Sequence, residues 1–94
     1  MKKVVLVCSG GLSTSIMAKK LRDDYEVHAY GEQEYEEHLD GVDCVLIGPQ
    51  IRYLLPGIQK KVGNDVPVEV IEPRTYGIMN AAKVIEQINS MTKK

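Results

Sequence analysis

Two stretches of this chain, Val4-Val5-Leu6-Val7 and Val42-Asp43-Cys44-Val45-Leu46-Ile47, are apolar almost without interruption and without alternation. A strand with one wet face alternates apolar and polar residues. A strand that does not alternate is covered on both faces, the usual situation inside a parallel sheet flanked by helices. The two strands that complete such a sheet read differently. Tyr25-Glu26-Val27-His28-Ala29-Tyr30 alternates, with Tyr25, Val27 and Ala29 on one side and Glu26, His28 and Tyr30 on the other, wet side. Val66-Pro67-Val68-Glu69-Val70-Ile71 opens on proline and carries a glutamate at its middle. Both therefore belong at sheet edges.

Between the strands lie helical patterns. A helix is expected over about 13–23, with Ile16, Met17 and Leu21 in its pattern, and a short one over 32–39 packing Tyr35 and Leu39. Ile51, Leu54, Leu55, Ile58 and Val62 fall on one helical face, with Pro56 in the first regular turn and Gly63-Asn64 as the stop. Glu72-Pro73-Arg74-Thr75-Tyr76-Gly77 reads as a loop before a last helix over 78–91, with Ile78, Ala81, Ala82, Ile85 and Ile88 facing inward. Strand and helix thus alternate through four repeats of β then α. The expectation is one α/β domain over residues 1–94, a four-stranded parallel sheet of order 2-1-3-4 with helices on both faces. Ligands of such sheets sit beyond the carboxyl ends of the strands, where successive connections leave in opposite directions. Here that place is Cys8 onward, beside Gly48-Pro49-Gln50.

The segment at that place is Cys8-Ser9-Gly10-Gly11-Leu12-Ser13-Thr14-Ser15. A buried strand, a loop of small residues and a helix start are the parts of an anion cradle. Glycines let backbone N–H groups turn inward, and Ser13 or Thr14 can cap a helix whose positive end faces the same point. A cysteine at the mouth of such a cradle is placed to act as a nucleophile toward a phosphoryl group. Cys44, by contrast, lies within an apolar run and reads as a small buried hydrophobe.

Composition narrows the classes further. With 44% hydrophobic and 27% charged residues and a formal net charge of −1, the chain has the balance of a globular domain and no basic surface for nucleic acid. The apolar run after Met1-Lys2-Lys3 is about five residues long, short for a secretion signal, and nothing approaches the roughly 20 apolar residues of a membrane span. A cytoplasmic location is expected. Cys8, Cys44, His28 and His38 show no zinc spacing, so no metal is expected, and the two cysteines do not suggest a disulfide framework. The acidic run Glu32-Gln33-Glu34-Tyr35-Glu36-Glu37-His38 reads as a solvated face.

The motifs together resemble the enzyme IIB components of the lactose/cellobiose group of the bacterial sugar phosphotransferase system. Cys8 to Ser15 looks like that family's active-site loop. Gly48-Pro49-Gln50-Ile51-Arg52-Tyr53-Leu54-Leu55-Pro56 is similar to its second signature, and Pro67-Val68-Glu69-Val70-Ile71 with Tyr76-Gly77 to its third. The resemblance spans nearly the whole chain. It departs from the pattern at Glu72-Pro73-Arg74-Thr75 and in the short acidic segment between strands two and three. It implies the fold of low-molecular-weight phosphatases. It also implies that Cys8 accepts a phosphoryl group from a phosphohistidine of enzyme IIA. The group would pass on to a sugar of the cellobiose, lactose or chitobiose kind bound by the membrane component, enzyme IIC. Ser9, Gly10, Gly11, Leu12, Ser13, Thr14 and Ser15 would hold the phosphoryl group, with Pro49, Gln50, Tyr53 and Tyr76 at the rim of the site or on the partner surface. No cofactor is implied, and the chain would sit at the membrane only through enzyme IIC.

Two other classes share the architecture. Low-molecular-weight protein tyrosine phosphatases and the related arsenate reductases carry Cys-x₅-Arg, and Glu72-Pro73 stands where such phosphatases place an acid before a proline. The arginine position is Thr14 here, so the bidentate clamp on the transferring group is missing. A regulatory copy of the fold without activity is the third reading. Such a copy is expected to lose the cysteine or the glycines, and both are present.

Overall fold

A computed structural model describes residues 2–8, 12–22, 25–78 and 80–92, with the backbone alone at 12–15. Strand β1 (Lys3–Cys8) leads to helix α1 (Leu12–Leu21), β2 (Glu26–Gly31) and a 3-10 turn at Tyr35–His38. Then come β3 (Cys44–Ile47), a second 3-10 turn (Pro49–Leu54) and α2 (Leu55–Val62). The chain continues through β4 (Val68–Val70) and the short α3 (Pro73–Gly77) to α4 (Ala81–Thr92). All pairings are parallel and the strand order is β2-β1-β3-β4. The expected order, and the edge positions of the alternating and proline-led strands, hold.

The two faces of the sheet bury separate halves of the core. Val4 and Leu6 of β1, Val27, Cys44 and Leu46 pack against Met17, Ala18 and Leu21 of α1 and Val84 and Ile88 of α4. Val5 and Val7, the intervening residues of β1, join Val45, Ile47 and Val68 under Tyr35, Ile51 and Ile58. Both faces of β1 are therefore dry, which is why its sequence does not alternate. Truncating a side chain such as Leu6, which is fully buried, costs about 2–5 kcal/mol by the usual range for core cavities.

Several elements differ from expectation for identifiable reasons. The loop expected at 72–77 is largely helix: Pro73, which lacks an N–H but needs none in a first turn, opens α3, and Thr75 and Tyr76 are buried. The chain then breaks and restarts, because Asn80 Oδ1 accepts the Lys83 N–H at 3.2 Å and caps α4. Ile78 falls in that break, outside the helix and exposed. Ala82 is also exposed, while Ala81, Ile85 and Ile88 face the core as expected and are joined there by Val84. Ile16 likewise sits outside the inward face of α1, which is formed by Met17, Ala18 and Leu21. The apolar face from Ile51 to Val62 is real, but its first part is a 3-10 turn kinked at Ile51 (φ −121°, ψ 30°) before the regular helix begins at Leu55. Tyr35 and Leu39 pack on the core as expected, from a 3-10 turn shorter than the expected helix.

The expected wet side of β2 is partly covered. Tyr30 stacks on His38 with ring centroids 3.9 Å apart and planes within 3°, and His28 lies 6.2 Å from Tyr30 along the same face.

Candidate active site

Cys8 is the last residue of β1, the central strand with β2 on one side and β3 on the other. It stands opposite Gly31, the last residue of β2. Burial by the flanking strands leaves its residue 8% exposed. Its thiol donates to the Tyr30 carbonyl oxygen at 3.5 Å. The parallel ladder generates this contact. Tyr30 pairs with Val7, so the carbonyl at the end of β2 is presented to the side chain one step further along β1.

On the other side of β1 the Gly48 N–H donates to the Val7 carbonyl at 2.9 Å and extends the β1–β3 pairing one residue past Ile47. A β carbon at position 48 would meet Gln50 Oε1 at 3.1 Å and the Val7 carbonyl oxygen at 3.7 Å. Gln50 thus folds its side-chain amide back toward the end of β1. Pro49 follows in the first turn of the 3-10 segment and is half-buried, while Tyr53 is 72% exposed.

The structure therefore gathers Cys8, Gly48, Pro49 and Gln50 at the ends of adjacent strands. Tyr53 is on the same connection but projects to solvent. Tyr76 is 5% exposed and packs in the core cluster with Met17 and Ala18. Ser9, Gly10 and Gly11 lie outside the described residues, as do the side chains at 12–15; α1 begins at Leu12, four residues after Cys8. The first-turn amides of such a ten-residue helix have no intrahelical acceptor, and its dipole favours negative charge at that end.

The second cysteine is set apart. Cys44 is fully buried in β3, and burial, reinforced by the adjacent Asp43 carboxylate, pushes its thiol from the ordinary 9.0 up to about 12. A thiol so held is no nucleophile at neutral pH. His28 is 3.9 Å from the Glu26 carboxylate on the β2 edge, and His38 is occupied in its stack with Tyr30. Among the described residues no three His, Cys, Asp or Glu side chains gather as a metal site, and no helix is long and apolar enough to cross a membrane. The Tyr30 carbonyl is a site group that sequence reading missed, because a backbone acceptor leaves no mark in the sequence. Only the strand register reveals it.

Residues 3–87 match the family described as "PTS system, Lactose/Cellobiose specific IIB subunit". The oligo-beta-mannoside-specific EIIB component of Bacillus subtilis (strain 168) is 35% identical over 99 aligned positions, covering 97% of this chain and 96% of that protein. The galactose-specific EIIB component of Lactococcus lactis subsp. cremoris (strain MG1363) is 31% identical, covering 89% of this chain and 90% of that protein. The cellobiose-specific EIIB component of Lactococcus lactis subsp. lactis (strain IL1403) matches to the same extent. Among solved structures, the lactose-specific IIB component domain from Streptococcus pneumoniae superposes with a TM-score of 0.81 over 98% of both chains, at 12% identity. The fold is therefore that of the lactose-specific IIB domain. From the family match and the near-full-length relatives, the chain belongs to the lactose/cellobiose-specific IIB subunits of the sugar phosphotransferase system, a family of phosphotransferase components.

Proposed function

We propose that the chain is a phosphocysteine relay in which Cys8 takes a phosphoryl group from a phosphohistidine of enzyme IIA and gives it to a sugar bound by enzyme IIC. The observation that carries the reading is the position of Cys8. It is a thiol at the end of the central strand, at the place where the connections diverge, with a helix N-terminus four residues on. In the first step the Cys8 sulfur attacks phosphorus, the bond from phosphorus to the donor imidazole nitrogen breaks, and the thiol proton leaves to solvent. In the second, a sugar hydroxyl oxygen attacks the same phosphorus, the S–P bond breaks, and the hydroxyl proton leaves.

Phosphoryl transfer asks for position and charge stabilisation rather than elaborate covalent chemistry. The loop Ser9, Gly10, Gly11, Leu12, Ser13, Thr14 and Ser15 supplies amides and hydroxyls for that charge. Thr14 in place of the phosphatases' arginine suits a relay, since the thiophosphate must outlast the wait for an acceptor. Pro49, Gln50 and Tyr53 flank the approach, and Tyr76 supports the site from the core. The relatives are named for oligo-beta-mannoside, galactose and cellobiose, which favours a sugar of that kind here. The whole chain then acts as one IIB domain in the cytoplasm, reaching the membrane through enzyme IIC.

The test is to incubate the protein with labelled phosphoenolpyruvate, enzyme I, the histidine-containing carrier protein and enzymes IIA of the lactose/cellobiose group. Label is expected on Cys8 only when a matching enzyme IIA is present, and Cys8→Ser abolishes it, because a serine hydroxyl without a nearby base is a far weaker nucleophile. No label with any cognate donor overturns the relay. Rapid hydrolysis of p-nitrophenyl phosphate by the wild type replaces it with a phosphatase.

A further inference from the structure

The Tyr30 carbonyl that accepts the Cys8 thiol at 3.5 Å lies at the end of an edge strand. β2 is paired to β1 alone. The ladder sets Tyr30 opposite Val7 and Gly31 opposite Cys8, so any slip at this end moves the acceptor against the Cys8 sulfur. Strand ends held from one side are among the first parts of a sheet to open. What holds the end of β2 from outside the ladder therefore also holds the carbonyl.

Two contacts do this. The Glu34 N–H donates to the Gly31 carbonyl at 3.0 Å and turns the chain back directly after β2. The His38 ring then lies flat on the Tyr30 ring, with centroids 3.9 Å apart and planes 3° from parallel. His38 is brought there by a fastened turn. Tyr35, which opens the turn, is buried, and Leu39, which follows it, packs on the same core layer. Glu36 of the turn is ion-paired with Lys61 of α2. Burial of the turn thus rests on Tyr35 and Leu39, while the half-buried His38 makes its ring contact with Tyr30.

We infer that His38 is a positioning residue for Cys8: by stacking on Tyr30 it fixes the end of β2, and with it the carbonyl that sets where the Cys8 sulfur stands. The bond is made by the thiol, the form that awaits a donor. It is given up when the proton leaves and sulfur bonds to phosphorus. His38 touches no reacting atom. It sets the starting place of the sulfur, and group transfer is sensitive to a displacement of about 1 Å. The effect on transfer rests on the relay reading; the hydrogen bond and its dependence on His38 do not.

The test is made in Cys44→Ala, so that Cys8 carries the only thiol. Infrared spectroscopy reads its S–H stretch, which a hydrogen bond to a carbonyl lowers in frequency. His38→Ala is expected to move the band to higher frequency, and His38→Phe, which keeps a flat ring, to return it. Tyr30→Ala acts like His38→Ala, and the double variant moves the band no further than either alone. With the enzyme IIA that labels the parent chain, His38→Ala lowers the saturating rate of transfer about threefold to tenfold and leaves the half-saturating donor concentration within about twofold. His38→Phe again restores the rate. Melting curves establish that each variant is folded at the temperature of measurement. If His38→Ala is not, His38→Gln, which keeps bulk without an aromatic face, takes its place. An S–H band unmoved in the folded variant overturns the positioning, as does a band that His38→Phe fails to return. A moved band with unchanged transfer overturns the part played in the reaction. If no donor labels the parent chain, the relay falls and the effect on transfer with it, while the infrared arm still decides whether His38 holds the Cys8 bond.

Discussion

The Cys8 thiol donates a hydrogen bond to the Tyr30 carbonyl oxygen, 3.5 Å away across the β1–β2 ladder. A phosphorylated sulfur has no proton to give, so charging Cys8 breaks this contact. The carbonyl carbon of Tyr30 and the amide of Gly31 are therefore expected to shift in NMR spectra on phosphorylation, while the amide of Val45, in the strand that holds the other cysteine, stays in place. Because the acceptor is backbone, Tyr30→Phe leaves the contact intact. A thiophosphate that forms without moving the Tyr30 and Gly31 resonances shows that this bond does not exist in the free protein.

The two cysteines are expected to separate cleanly under alkylation. Brief iodoacetamide treatment of the folded protein near neutral pH is expected to label Cys8, at the end of β1, and to leave Cys44, which is fully buried in the core on one face of the sheet with its thiol pushed up to about 12. In denaturant both react. Peptide mapping by mass spectrometry reads the result, and equal labelling of the folded protein contradicts the assignment.

Cys44 also fixes a pH dependence. Its thiol is held neutral in the folded chain up to about 12 but ionises from the ordinary 9.0 once unfolded. Between those values the unfolded state binds fewer protons, so stability is intact below about pH 9 and falls as pH rises, by up to about 1.4 kcal/mol per pH unit from this group. Tyr35, raised chiefly by burial, and Lys61, raised by its bond to Glu36, act in the same direction at higher pH. Denaturation midpoints measured between about pH 9 and 10 should fall for the wild type and stay flatter for Cys44→Ala. Parallel lines for the two proteins contradict it.

Two glycines at opposite ends of one helix should respond in opposite senses to alanine. Gly63 closes α2 at φ +97°, where a side chain is strained, and its N–H donates to the Gln59 carbonyl. Gly63→Ala is expected to cost about 1 kcal/mol. Gly57 lies inside α2 with open space where a β carbon would go, so Gly57→Ala should stabilise by about 0.5–1 kcal/mol. Thermal melts of the two variants check the sign of each.

The parts of this molecule that could be read from sequence are those written in side-chain pattern. Val4 to Val7 and Cys44 to Ile47 lack alternation because both faces are covered, and that alone places β1 and β3 inside the sheet. Glu69 and Pro67 send β4 to an edge. Position was legible for Cys8, since the end of β1 follows from the strand itself. Ile78 was misread because the helical period of 78–91 runs smoothly through a break. The signals of that break, Pro73 as a helix opener and Asn80 as a cap, are local hydrogen-bonding features that periodicity ignores. Nor does sequence register that the aromatic side of β2 is covered. That depends on His38 arriving from a turn eight residues further along to stack on Tyr30.

The strand order has a consequence for how this chain is made. Of the four strands β1 is synthesised before the others, yet it is central in the finished sheet, with β2 on one side and β3 on the other. No two neighbouring strands can close as a hairpin, since all of them are parallel. An apolar strand therefore waits, one edge unpaired, until residues 44–47 have been synthesised, and the last edge is sealed only when Val68–Val70 arrives. Loop closure must precede each of these pairings, which makes for slow assembly relative to a helical bundle of the same length. The residue that ends the waiting strand is Cys8, so in the nascent chain its thiol stands in a half-built sheet, and oxidation there would act before the strand is paired and, on the relay reading, would also remove the nucleophile.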